Sequence, residues 1–229
     1  MKQIRVELQE SMGNDRSIAN SAWTSSSDNQ KKKLKTDEEV EALVKRLIND
    51  KHSTPIESII FRFWIKMPIQ TDRQFMTHRI QSANGMSGRY RTMPNEWLDV
   101  SDDIKLICDL ANGKGFHYKN EYNRLCKETN DWYQNLLIQM KNAEKIGDIE
   151  NSDYKRVREF FRGVLPQNNM TERVSIMNLR SFSNFQKLRN SPHAQPEIQQ
   201  VARLMLEAVE TANVCPIAIQ SLKDNNWII

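Results

Sequence analysis

The sequence predicts an α+β fold, a sheet flanked by long helices. Two stretches alternate apolar and polar residues with the period of a half-buried strand, Lys2 to Leu8 and Ile59 to Met67. Apolar residues also recur at helical spacing, most extensively over Asn120 to Ala143. Gly and Pro punctuate these segments rather than interrupting them.

In chain order, Ile4, Val6 and Leu8 mark an edge strand, and Gly13-Asn14-Asp15 a turn. A short helix is expected over Arg16 to Trp23. A polar loop, 25–35, follows and contains Lys31-Lys32-Lys33. Thr36 and Glu39 have capping-box spacing and open a helix whose apolar face is Val40, Leu43, Val44, Leu47 and Ile48. In the second strand Phe61, Phe63 and Ile65 alternate with Arg62, Trp64 and Lys66, and Pro68 closes it. Gln70 to Thr77 reads as a short helix ending in a loop, and Asp102 to Ala111 as another, with a break at Gly113 and Gly115.

The long helix carries Tyr122, Leu125, Cys126, Trp132, Tyr133, Leu136, Leu137 and Met140, expected as core. Asp153 to Val164 is a further helix, stopped by Leu165-Pro166. A strand is expected over Thr171 to Met177 and a helix over Asn178 to Arg189. Pro196 starts the last helix, with Ile198, Val201, Ala202, Met205, Ala208 and Val209 on one side, and Cys215-Pro216 ends it. All 229 residues are taken as a single domain.

Composition narrows the function classes. Hydrophobic residues make up 38%, enough for a core yet lean, so further burial by oligomerisation is expected. A net charge of +4 does not call for a nucleic-acid partner, and the basic run at Lys31 to Lys35 is short and lacks interleaved aromatics. Cys108, Cys126 and Cys215 are scattered and odd in number, which suits a reduced, cytoplasmic protein, with Cys126 a small buried hydrophobe. No apolar run approaches membrane-spanning length, and no metal site is expected.

The chemistry concentrates in Gln74 to Tyr90, which gathers His78, Arg79, Ser82, Asn84, Ser87 and Arg89, with Gly85 and Gly88. Arg forks hold phosphate oxygens in pairs, and glycines let backbone N–H groups approach them closely. These residue types suit a nucleotide or phosphate site; they also suit a solvated polar turn. The segment resembles the signature of the flavin-dependent thymidylate synthases (ThyX): Arg-His-Arg, seven residues, then Ser, continuing into Gly-Arg-Tyr. Here His78-Arg79, the seven residues from Ile80 to Met86, and Ser87-Gly88-Arg89-Tyr90 match it. Two positions depart. Thr77 stands where the pattern has its first Arg, and Gly85 where an acidic residue is usual.

Three further stretches carry the same resemblance. His52-Ser53-Thr54-Pro55-Ile56-Glu57 is similar to the family's His-x-Thr/Ser-Pro-x-Glu stretch. Arg162-Gly163-Val164-Leu165-Pro166 is similar to its Ala-Arg-x-x-Leu-Pro element. Asn178-Leu179-Arg180-Ser181-Phe182, Phe185, Leu188-Arg189 and His193-Ala194-Gln195 match a third block. Singly, Arg162 reads equally as a helix-surface arginine and His193 as a cap; together and in order the blocks are specific.

The resemblance implies a central, mostly antiparallel sheet, assembly as a homotetramer, and reductive methylation of dUMP to dTMP. Methylene-tetrahydrofolate gives the carbon, and NADPH reduces the FAD that supplies hydride. It implies that Gln74, Ser87, Gly88, Arg89, Arg162 and Arg189 hold dUMP, the last two contributed from other parts of the assembly. It implies that His52, Thr54, Glu57, His78, Arg79, Ile80, Asn178, Arg180, Asn184, Leu188 and His193 line the flavin. Ser87, Arg89 and Arg189 are the catalytic candidates: Ser87 for binding and polarisation, the arginines for charge developing on the uracil ring. At Thr77 a flavin contact is lost unless Arg73 substitutes. At Gly85 the base preference is open to change, towards a cytosine nucleotide such as dCMP or a hydroxymethyl product. A non-catalytic flavin- or nucleotide-binding relative and a nucleic-acid-binding module stay as competing classes.

Overall fold

The structure, a computed structural model, describes residues 3–26, 28 and 35–228. The expected polar loop with Lys31-Lys32-Lys33 lies largely outside the described residues, as does the start of the first expected strand at Lys2. The chain divides into two compact units. One comprises residues 1–3, 67–72 and 85–172, the other 4–66, 73–84 and 173–229.

The larger share of the sheet lies in the second unit. β1 (Arg5–Met12), β2 (Ile60–Pro68), β3 (Ser82–Gly85) and β4 (Met170–Asn178) form a four-stranded antiparallel sheet in the order β1-β2-β4-β3. β1 is the expected edge strand, but it runs to Met12. A register shift between Leu8 and Glu10 interrupts the alternation there, so polar residues extend the strand without an apolar signal. In β2 the alternation is realised in full: Phe61, Phe63 and Ile65 are buried, while Arg62, Trp64 and Lys66 are half-buried. β3 was expected as loop. Its residues Ser-Ala-Asn-Gly are all exposed, so backbone pairing alone makes the strand and no side-chain pattern announces it.

Local signals shape the helices of this unit. In α1 (Asp15–Trp23) Asn14 is the N-cap, accepting from the Ser17 N–H at 3.1 Å. Gly13 precedes it at φ +88°, where a Cβ would meet the Ser58 carbonyl oxygen at 2.9 Å; the turn therefore needs glycine. In α2 (Asp37–Asn49) Thr36 and Glu39 form the expected capping box, and all five expected face residues are buried. After α7 (Leu179–Arg189) comes α8 (Pro196–Ala212), which packs on β1 with Ile198, Val201, Ala202, Met205 and Val209 buried.

The chain then enters one more helix, α9 (Pro216–Asp224), where the sequence reading expected an end. Pro216 at the first helical position was a start signal. The buried Asp15 carboxylate caps α9, accepting from the N–H groups of Ile217 at 3.1 Å and Ala218 at 2.9 Å. Burial raises its pKa, an effect the two N–H groups offset only in part.

The other unit is built on α4 (Asp102–Asn112), α5 (Gly115–Ile146) and α6 (Asn151–Phe161). α5 starts at Gly115 rather than beyond it and has 32 residues, so it is about 48 Å long. Tyr133 and Leu137 pack with Met93, Ile69, Met86, Tyr154, Val157, Phe161 and Leu165. Cys126 is buried, as expected. Leu125 and Trp132 are not: 50% and 48% of their surfaces stay exposed. The helix is longer than the core it covers, so the apolar stripe outruns its cover. Ile104, Leu106, Ile107 and Leu110 of α4 are exposed as well. Among the described residues no helix is long and apolar enough to cross a membrane.

Candidate active site

The signature segment leaves α3 (Ile69–Phe75), and its first half belongs to the unit that carries most of the sheet. The helix ends on Phe75, whose ring packs on Phe185 of α7 at 4.8 Å between centroids. The following turn is stapled by Gln81. Its amide nitrogen donates to the His78 carbonyl at 2.7 Å, and its amide oxygen accepts from the Ser175 hydroxyl at 2.5 Å. Neither Gln81 nor Ser175 was singled out from sequence, because their partnership spans 94 residues.

The imidazole of His78 stands edge-on to Phe185, 4.9 Å between centroids. The Arg189 Nε donates to His78 Nε2 at 2.9 Å, so that ring nitrogen is the acceptor and Nδ1 carries the proton. The Arg189 Nη2 donates to the Thr77 hydroxyl at 3.2 Å, while Thr77 donates to the Gln74 carbonyl at 2.8 Å. The arginine that bonds Thr77 is therefore Arg189. Arg189 reaches this turn within the same chain. The Gln74 amide in turn donates to the side-chain oxygen of Gln195.

Burial, and then the Arg189 charge, push the His78 pKa down to about 4 from 6.5. A lowered histidine pKa stabilises the neutral form in the folded chain, so the unfolded chain binds the extra proton first. The contribution is present above pH 6.5 and is lost as pH falls towards about 4. Urea-midpoint comparison at about pH 7 and about pH 5 should show a larger acid loss for the wild-type chain than for His78→Gln. Equal losses in the two chains would contradict a neutral, arginine-bonded His78.

α7 displays its flavin candidates on one face. Arg180, Asn184 and Leu188 are spaced four apart and form an exposed stripe, opposite the buried Phe182 and Phe185. Arg180 pairs with Glu57 at 2.7 Å. Asn178 uses its side-chain oxygen to cap α7, accepting from the Ser181 N–H at 2.9 Å. Arg79, Ile80 and His193 are exposed. His52 and Thr54, also exposed, line a cavity of about 520 Å³ together with Trp23, Ser25, Ser26 and Arg46.

The second half of the segment belongs to the other unit. Residues 87–91 form a tight turn in which the N–H groups of Tyr90 and Arg91 donate to the Ser87 carbonyl at 3.1 and 3.0 Å. The Ser87 hydroxyl accepts from the Arg89 N–H at 3.3 Å. Gly88 is buried under Arg162: a Cβ there would lie 2.8 Å from Arg162 Nη1 and 2.9 Å from its Cδ. Any larger residue at position 88 displaces that arginine. Arg89 pairs through Nε with Glu159 at 2.8 Å, which holds the Glu159 carboxyl below its usual pKa. The buried guanidinium of Arg158, on α6, donates to the Arg89 carbonyl and lies 5.5 Å from the Tyr154 ring centroid. Sequence reasoning passed over Glu159 and Arg158, whose only local signal was their helical spacing from Arg162. Arg89, Arg158 and Arg162 thus converge on one five-residue turn, an arrangement that fits an anionic, oxygen-rich ligand.

Three comparisons bear on this geometry. A sequence model of the family described as thymidylate synthase complementing protein matches residues 7–217. The chain is 34% identical over 225 residues to the flavin-dependent thymidylate synthase of Kosmotoga olearia, covering 94% of this chain and 88% of that one. It is also 34% identical to the flavin-dependent thymidylate synthase of Thermotoga neapolitana, covering 86% and 81%. Among solved structures, a UMP/dUMP methylase, PolB, from Streptomyces cacaoi bound with 5-Br dUMP superposes with a TM-score of 0.80. That match has 24% identity and covers 99% of this chain and 97% of the other, a likeness of fold.

Proposed function

Given that the chain belongs to the thymidylate synthase complementing protein family, a family of enzymes, we propose that it methylates dUMP reductively to dTMP. Methylene-tetrahydrofolate is the carbon donor and NADPH the source of reducing equivalents for a bound FAD. The observation that carries this reading is the turn at Ser87-Gly88-Arg89, with Arg162 laid across Gly88. Such a turn offers guanidinium forks to a phosphate or to uracil oxygens.

The reading assigns dUMP to Gln74, Ser87, Gly88, Arg89, Arg162 and Arg189. Ser87 accepts a backbone hydrogen bond and shapes the turn, which agrees with a binding role rather than a covalent one. Arg89 and Arg189 stabilise negative charge on the pyrimidine ring. The flavin is assigned to His52, Thr54, Glu57, His78, Arg79, Ile80, Asn178, Arg180, Asn184, Leu188 and His193. The cavity at His52 and Thr54 fits part of such a dinucleotide: its hydroxyls and Arg46 suit phosphate and ribose oxygens, and Trp23 suits a stacked base. When bound, the flavin supplies hydride; the protein binds, orients and polarises. Homotetrameric assembly and a cytoplasmic location complete the reading, and the exposed apolar residues of α4 support burial in an oligomer.

The test is the visible spectrum of the purified protein, followed by NADPH oxidation with and without dUMP and methylene-tetrahydrofolate. A flavin spectrum, dUMP-dependent oxidation and a dTMP product are expected. Failure to take up added FAD would overturn the reading in favour of a non-catalytic relative.

A second acceptor class is favoured by Gly85. A Cβ there meets only the Glu172 carbonyl oxygen, at an ordinary 3.9 Å, so neither crowding nor backbone geometry demands glycine. The absent acidic group is then a change of chemistry. Comparing dUMP with dCMP as acceptor decides between them: dUMP turnover equal to or above dCMP turnover keeps the main reading.

A further inference from the structure

The hydrogen bonds around Thr77 form one connected set. Thr77 donates to the Gln74 carbonyl and accepts from Arg189, so its hydroxyl is spent in both directions. Arg189 is thereby held at two points, Nη2 on Thr77 and Nε on His78. Two anchors on one edge of a planar guanidinium fix its plane and leave Nη1 as the free arm of the fork; among the described residues no hydrogen bond occupies Nη1. Thr77 is exposed and Arg189 half-buried.

We propose that Thr77 is a positioning residue: its hydroxyl orients Arg189 for the anionic nucleotide. The inference rests on the dUMP-binding role proposed above for Arg189.

The test uses the full-length protein loaded with FAD and four variants: Thr77→Ser, Thr77→Val, Arg189→Lys and the double variant Thr77→Val/Arg189→Lys. Thr77→Val keeps the shape and removes the hydroxyl. It should weaken dUMP binding about ten-fold, the size of one lost hydrogen bond to a charged group. Thr77→Ser keeps the hydroxyl and should stay within about twofold of wild type. Flavin affinity, read by fluorescence quenching, should be the same in all three. In the Arg189→Lys background, which lacks the second anchor point, Thr77→Val should cost nothing further, a coupling that a purely structural threonine would not show. Unchanged dUMP affinity in Thr77→Val, or a loss confined to flavin, would each overturn the inference. Wild-type protein that binds no dUMP would instead overturn the functional reading beneath it.

Discussion

Replacing Arg89 by alanine should lower dUMP turnover by about 10²–10³-fold, the usual consequence of deleting one preorganised donor to a developing negative charge. The expectation follows from how the residue is held. Its backbone carbonyl is bonded by the buried Arg158, its N–H by Ser87, and its Nε by Glu159. The side chain is thus aimed before any ligand arrives, and preorganisation is what makes such a donor effective. Steady-state kinetics on the purified variant, with the flavin spectrum as a control for folding, decides the matter. Turnover near that of wild type would remove Arg89 from the chemistry and leave Arg162 as the principal cation of the turn.

Truncating Phe182 to alanine should destabilise the chain by about 3–5 kcal/mol, the range for removing a fully buried aromatic side chain. Phe182 is 0% exposed, meets Phe61 edge-on at 5.3 Å and stacks on Phe63 at 6.0 Å. Through it α7 packs on β2. A loss of this size is a large share of a typical domain's stability, and α7 carries Asn178, Arg180, Asn184, Leu188 and Arg189. The denaturation midpoint should therefore fall, and ligand binding through α7 should weaken with it. A change under about 1 kcal/mol would mean that the three rings are not a cooperative cluster.

Much of the fold was legible in the sequence because the signals are local. The Thr36–Glu39 capping box and the five-residue face of α2 lie within a dozen residues and were realised as read. The alternation in β2 names its buried rings directly. Misreadings occurred where local signals run out. β3 has no side-chain pattern to read, and α5 is longer than the core beneath it, so part of its stripe stays exposed. α9 was missed although Pro216 announced it; its cap is Asp15, about two hundred residues earlier in the chain.

The site divides in the same way. The residue types around His78, Ser87 and Arg89, and the order of the blocks, were determined by the sequence alone, since spacing within a motif is covalent. Which arginine serves which turn was not. Arg189 meets Thr77 across 112 residues, and Arg158 meets Arg89 across 69. Those partnerships depend on how α7 and α6 pack, through Phe185 on Phe75 and through the Tyr133 cluster. Helix period, caps and strand alternation are written within a few residues of the chain. The pairing of two distant guanidiniums with two turns is decided only once the apolar faces between them have been buried.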